Sequence, residues 1–221
     1  MKKKLIIYGV TEMASYVSHY FNRDLEYEVV AYTVEEKYIE NDSFFGKKIV
    51  PFEKILNFYL PEEIFFFIAI GPSKMNFIRE KYFNEVKSKG YKLINYVSKF
   101  AVVDSKIGEN NFIGDFAVIN PNVKVGDNNI IYEHSIVSVG AEIYSHNYLA
   151  PRVTIGTNAV VTNNTIIGIG AIIKTDIIVA SESLVGAGSY ISKNTKIKGV
   201  YGEKCSELYG CISDKINNAM I

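Results

Sequence analysis

From residue 101 onward an aliphatic side chain returns at every sixth position, from Ala101 through Ile107, Ile113, Ile119 and Val125 to Ile197. All but the first of these anchors are Ile, Val or Leu. Three residues after an anchor stand turn formers, among them Asp104, Asn110, Asn122, Asn128, Gly140, Asn158, Asn164, Gly170 and Gly188. An amphipathic helix would repeat near 3.6 residues and a half-buried strand near 2, so neither produces this series. Each hexad instead reads as one face of a triangular coil: the anchor points inward and the turn residue bends the chain into the next face. Stacked at the ~4.8 Å spacing of paired strands, the hexads predict a left-handed parallel β-helix over residues 100–202. Residues 203–221 lose the repeat and are expected to cap the open end.

The first half follows a different rhythm. Apolar runs at 4–9 (KLIIYG), 28–32 (EVVAY), 47–51 (KKIVP), 64–71 (IFFFIAIG) and 92–97 (KLINYV) alternate with helix-like segments at 12–22 and 72–89. Strands alternating with helices predict a small Rossmann-like parallel sheet over residues 1–99. Ligands of such sheets bind outside the carboxyl ends of the strands. Those ends carry Gly9-Val10-Thr11, Thr33 and Glu35, and Gly71 through Lys74. A glycine directly after a strand lets backbone amides approach a phosphate, and Lys74 adds positive charge. Gly9 and Gly71 are equally what a chain needs simply to leave a strand. The loop GVTEMAS lacks the G-x-G-x-x-G pattern, which disfavours a dinucleotide, and a P-loop is absent.

Charge narrows little. Lys+Arg and Asp+Glu both count 24, so no net field favours nucleic acid or an acidic membrane. No apolar stretch approaches the ~18 residues of a membrane span, and MKKKLIIYG enters a strand-like run without a cleavage pattern, so a cytoplasmic protein is expected. Cys205 and Cys211 are the only cysteines and suggest neither a disulfide framework nor a metal site.

The segments IIYGVTEMASYV, AYTVEEKYI, FFGKKIVPFEKI, FFFIAIGPSKMN and IGENNFIGDFAVINP, with the coils from IIGIGAIIK to LVGAGSYISKNT, resemble bacterial sugar acyltransferases of the sialic-acid O-acetyltransferase type. That family includes the nucleotide-sugar N-acetyltransferases of bacillosamine-type pathways. The resemblance implies a homotrimer that serves surface-glycan synthesis, such as lipopolysaccharide or capsule. Acetyl-CoA would lie along a groove beside Gly168, Gly170, Ala171, Gly186, Ala187 and Gly188. A nucleotide-linked sugar would meet Gly9, Val10, Thr11, Thr33, Glu35 and Gly71. Tight coil corners would also account for those glycines.

Acyl transfer from a thioester needs a base for the acceptor's proton, usually histidine. The family keeps it two residues after an anchor, where this chain has Val139. His134, beside Glu133, and His146 lie in neighbouring hexads, both at turn positions expected to point outward into solvent. His134 with Glu133 as its orienting acid is the first candidate base, and His146 the second. A weak base tilts the expectation toward N-acylation, since a neutral amine is itself nucleophilic. The alternative is a non-catalytic β-helix protein that binds a sugar nucleotide or scaffolds a complex.

Overall fold

The computed structural model describes residues 2–24 and 26–202. The expected cap at 203–221, with both cysteines, lies outside the described residues.

The apolar runs of the first half become strands β1 (Lys3–Tyr8), β2 (Tyr27–Val34), β3 (Ser43–Phe44), β4 (Lys47–Pro51), β5 (Phe65–Ile68) and β6 (Lys92–Leu93). They form one sheet in the order β3-β4-β2-β1-β5-β6, parallel except for the β3–β4 pair. Central β1 and β5 are buried on both faces from Leu5 to Tyr8 and from Phe66 to Ile68, which is why they read as unbroken apolar runs. Helix α1 (Glu12–Asp24) buries Met13, Ala14, Val17, Ser18, Tyr20 and Phe21, a stripe at helical spacing.

The segment 72–89 is not one helix. Lys74, Met75 and Asn76 take left-handed backbone angles, with φ of 47°, 50° and 65°, and only then does α2 run from Phe77 to Ser88. A left-handed conformation costs an ordinary residue roughly 1–2 kcal/mol, so something outside the turn holds it. KLINYV also divides: β6 pairs with β5, while Tyr96–Val97 pairs with Phe112–Ile113 of the second domain.

That second domain is a triangular β-helix of two-residue strands, all parallel. One face stacks seven rungs from Tyr96–Val97 to Val200–Tyr201, the next six from Val102–Val103 to Tyr190–Ile191, and the third four from Lys124–Val125 to Ile178–Val179. Every anchor from Ile113 to Ile191 is buried and forms the core. The corners are left-handed: Phe116, His134, Arg152, Gly170 and Gly188 at the first, Asn122, Gly140, Asn158 and Asp176 at the second, Asn110, Asn128, His146, Asn164 and Glu182 at the third. Asn and Gly accept this geometry most readily, which explains their recurrence.

The six-residue register ends earlier than the sequence implied. Val200 pairs with Leu184, 16 residues before it, whereas the rungs above Phe112 are spaced by 18. Ile197, an expected anchor, is therefore 69% exposed, because the last coil is two residues short.

The two domains share one core. Phe112 and Ile130, outward-facing on the seven-rung face, pack into the cluster built on β1, β5 and α1. Beside them Arg79 of α2 is fully buried and donates to the carbonyls of Ile70, Asn128 and Asn147 and to Asn76 Oδ1. Burial without a carboxylate pushes this guanidinium down to about 10, still protonated at neutral pH.

Candidate functional site

At the carboxyl ends of β1, β2 and β5 lies a cavity of about 790 Å3. Its walls include Gly9, Val10, Thr11, Glu35 and Lys74, five of the residues picked out by the strand-end argument, together with Tyr8, Lys37, Tyr38, Phe44, Lys81 and Tyr82. Thr33 stands elsewhere: it is fully buried and donates to the Val50 carbonyl at 2.7 Å, because β2 runs on to Val34 inside the two-sided core. At Gly9 a Cβ would sit 2.7 Å from the Ala69 carbonyl oxygen, and φ is +132°, so only glycine fits. Gly71 has open space around it and borders a neighbouring crevice instead.

Two side chains give this cavity its chemistry. Glu35 has Lys37 Nζ 2.6 Å from Oε2, and Lys81 Nζ donates to Oε1 at 3.1 Å. Lys37 first, then Tyr82 and Lys81, hold its carboxyl down to about 2, so it is an anionic acceptor throughout the physiological range. The Tyr8 ring stacks on Tyr82 at 4.3 Å, and its buried hydroxyl has no hydrogen-bond partner among the described residues. Burial raises that phenol well above its ordinary range, which makes it a donor rather than a base.

A second crevice, of about 560 Å3, shares Thr11 with the cavity and lies between the domains. Glu12, Met13, Tyr16, Gly71, Pro72, Tyr132 and Tyr148 line it. The Tyr132 hydroxyl lies 3.2 Å from Met13 Sδ, and its ring sits 5.2 Å from that of Tyr148. Sequence reasoning expects Tyr132, Tyr144 and Tyr148 outward beside an intersubunit groove; the structure leaves Tyr144 exposed but packs Tyr132 and Tyr148 against the core of the α/β domain, beside this crevice. The signal for that packing was the apolar outward row Tyr96, Phe112, Ile130 and Tyr148, which marks a covered face.

The histidines part company. His134 is exposed at the first corner, its ring stacked on Phe116 at 5.1 Å and 19°, beside Arg152, Thr154, Gly170 and Ile172 in a shallow depression. Glu133 does not orient it: its carboxylate accepts the Tyr20 hydroxyl at 2.7 Å, turned toward α1. His146, expected in solvent, is covered by α2. Its Nδ1 lies 2.8 Å from Asn128 Nδ2, its Nε2 3.7 Å from Glu80, and the Phe83 ring stands edge-on at 5.6 Å. Burial, aided by Arg79, depresses this imidazole below its ordinary range against the pull of Glu80. Val139 is 45% exposed at the next corner and offers no acid–base group.

On the upper coils packing accounts for most of the small residues. A Cβ on Gly168 would lie 2.5 Å from the Ala187 nitrogen, and one on Gly186 would lie 3.2 Å from the Tyr201 oxygen. Gly170 and Gly188 hold corners at φ +67° and +70°. Ala171 is fully buried, so its methyl group belongs to the core, whereas Ala187 is exposed.

Residues 104–138 match the bacterial transferase hexapeptide (six repeats) family. No curated protein matches the chain significantly. Among solved structures, the acetyltransferase domain of PglB from Neisseria gonorrhoeae, in complex with acetyl coenzyme A, superposes with a TM-score of 0.76 at 20% identity, covering 92% of this chain and 94% of that one. A His-to-Asn mutant of perosamine N-acetyltransferase from Caulobacter crescentus, in complex with CoA and GDP-perosamine, gives 0.79 at 20% identity, over 90% and 93%. WeeI from Acinetobacter baumannii gives 0.57 at 19% identity, over 84% and 94%. The chain thus carries the bacterial transferase hexapeptide repeat, on the same two-domain frame of α/β sheet and left-handed β-helix as these proteins.

Proposed function

We propose that the protein transfers an acetyl group from acetyl-CoA to the amine of a nucleotide-linked sugar. The observation that carries the reading is the cavity at the carboxyl ends of β1, β2 and β5, which couples an ionised Glu35 and a free Tyr8 hydroxyl to the Gly9–Thr11 turn. A ribose or base offers donors to Glu35, a diphosphate accepts from the Val10–Thr11 end of the turn, the Gly9 N–H being donated to the Thr33 carbonyl at 2.9 Å, and the sugar extends toward the crevice that shares Thr11. The solved acetyltransferase with CoA and GDP-perosamine on this frame supports the same assignment. In the reaction the neutral amine attacks the thioester carbonyl, the C–N bond forms, the C–S bond breaks, and CoA leaves as thiolate. The amine's proton passes to a base, and we assign that role to His134, since His146 is enclosed under α2.

His134 lines neither the cavity nor the adjoining crevice of its own chain, so the assignment calls for a second copy. The outward row Val102, Ile136, Ile172 and Tyr190 on the six-rung face is exposed and apolar, as a subunit interface would be. A homotrimer with the donor in the intersubunit groove, beside Ala187 and the Gly168–Gly170 and Gly186–Gly188 backbone, fits both features.

Acetyl-CoA consumption with UDP-, dTDP-, GDP- and CMP-linked amino sugars tests the proposal. His134→Ala should lower kcat/KM by about 10²–10⁴ with donor binding intact. A near-wild-type rate removes His134 from the role. Val139, standing where a base would, favours the second reading, a sugar-nucleotide-binding protein without turnover. Saturable nucleotide-sugar binding with no acetyl-CoA consumed would establish it.

A further inference from the structure

Of the three lysines around the strand-end cavity, Lys37 and Lys81 are engaged by Glu35. Lys74 forms no ion pair among the described residues, and its backbone is the first of three consecutive left-handed residues. The strain is held from the β-helix side. Asn76 is fully buried, donates from Nδ2 to the Thr165 carbonyl at 3.0 Å, and accepts from Arg79 at 3.2 Å. Asn164 Nδ2 adds a 3.4 Å bond to the Met75 carbonyl. Without those ties the segment would relax toward ordinary backbone angles, and Lys74 would leave the cavity wall.

We propose that Lys74 is the cation that binds the diphosphate of the acceptor, and that Asn76 is its positioning residue, fixed by the β-helix. The inference rests on the nucleotide-linked acceptor proposed above. The free charge faces the same cavity as the Gly9–Thr11 turn, so a diphosphate there meets backbone donors from one side and an ammonium from the other. The acceptor site of the α/β domain is then complete only when the β-helix is docked against it.

The test is titration of the full-length protein with UDP and GDP, and with uridine and guanosine. Lys74→Gln should weaken the diphosphates about tenfold while leaving the nucleosides unchanged, and Lys74→Arg should restore most of the loss. Asn76→Gly keeps the left-handed angle available but removes the anchoring amide; with a folded far-ultraviolet spectrum, it should weaken the same diphosphates selectively. Because Asn76 acts through Lys74, the double variant should bind no worse than Lys74→Gln alone. Unchanged diphosphate affinity in Lys74→Gln overturns the assignment, and an additive double variant overturns the positioning role. Wild-type protein that binds no nucleoside diphosphate contradicts the acceptor reading itself, and the Lys74 assignment falls with it.

Discussion

Two faces of the β-helix present nearly the same outward chemistry and meet opposite fates. The seven-rung face turns Tyr96, Phe112, Ile130, Tyr148, Ile166, Leu184 and Val200 outward; the six-rung face turns out Val102, Val118, Ile136, Thr154, Ile172 and Tyr190. On the first, exposure climbs from 4% at Tyr96, 0% at Phe112 and 1% at Ile130 to 75% at Val200, because α1 and α2 cover only its lower rungs. On the second, Val102, Ile136, Ile172 and Tyr190 are exposed and the intervening Val118 and Thr154 half-buried, with no such gradient from one end to the other. The difference teaches that the hexad dictates only the inward residue. An outward apolar row is a demand for a partner, met by the chain's own α/β domain on one face and, in our account, by a second copy on the other.

The same substitution on the two faces is the sharpest way to break this comparison. Ile130→Arg buries an unpaired charge and should cost more than about 4 kcal/mol, enough to prevent folding. Ile172→Arg should leave the melting curve of the monomer near wild type yet convert a trimer to monomer in light scattering. If both variants unfold, or both remain assembled, the faces do not differ as argued.

Arg79→Ala probes the covered face from the other side. Among the described residues it strips the only hydrogen-bond donors from the carbonyls of Ile70 and Asn128, while that of Asn147 keeps the Ile130 N–H at 3.0 Å, and unpaired buried acceptors cost about 1–3 kcal/mol each. We expect a loss of about 4 kcal/mol, read as a lower urea midpoint with an unchanged slope. A change below about 1 kcal/mol would mean that these carbonyls find other donors.

The smallest expected effect is one of pH. His146 is held below its unfolded value of 6.5, so the unfolded chain binds more protons as pH falls through that value, and stability declines there while it is unaffected above. Asn110, Asn128 and Asn164 occupy the same corner with the same left-handed backbone. His146→Asn should therefore fold normally and lose part of the decline in melting temperature between about pH 7.5 and about pH 5.5. An identical decline in the variant places its source elsewhere.

These contrasts also mark how far the sequence could be read. Six-residue spacing identified the inward anchors from Ile113 to Ile191, since burial of an anchor depends only on its own coil and the next. It misplaced Ile197, because shortening the last coil by two residues leaves no mark in the aliphatic pattern. The strand-end argument reached Gly9, Thr11, Glu35 and Lys74, which depend on sheet topology alone. It failed at Thr33, one residue inside the true end of β2, whereas the helix expected over 72–89 failed at 72–76, where helix-like composition conceals a turn held by Thr165 and Asn164 from a distant part of the chain. For the histidines the period fixed the corner each occupies but not what packs over it. His146 lies under α2, and Glu133 turns to Tyr20, through contacts that no local pattern encodes.

The central claim, acetyl transfer to an amine on a nucleotide-linked sugar, is tested most directly by release of the CoA thiol. Wild-type protein would be mixed with acetyl-CoA and a matched pair of nucleotide-linked sugars, one with a free amine and one with a hydroxyl at the same carbon, alongside a control without acceptor. We predict thiol release in step with amide formation for the amine, with the hydroxyl sugar close to the control. Release no faster than the control with amino sugars on every nucleotide would contradict the account, and faster release with the hydroxyl would reverse the choice of acceptor atom.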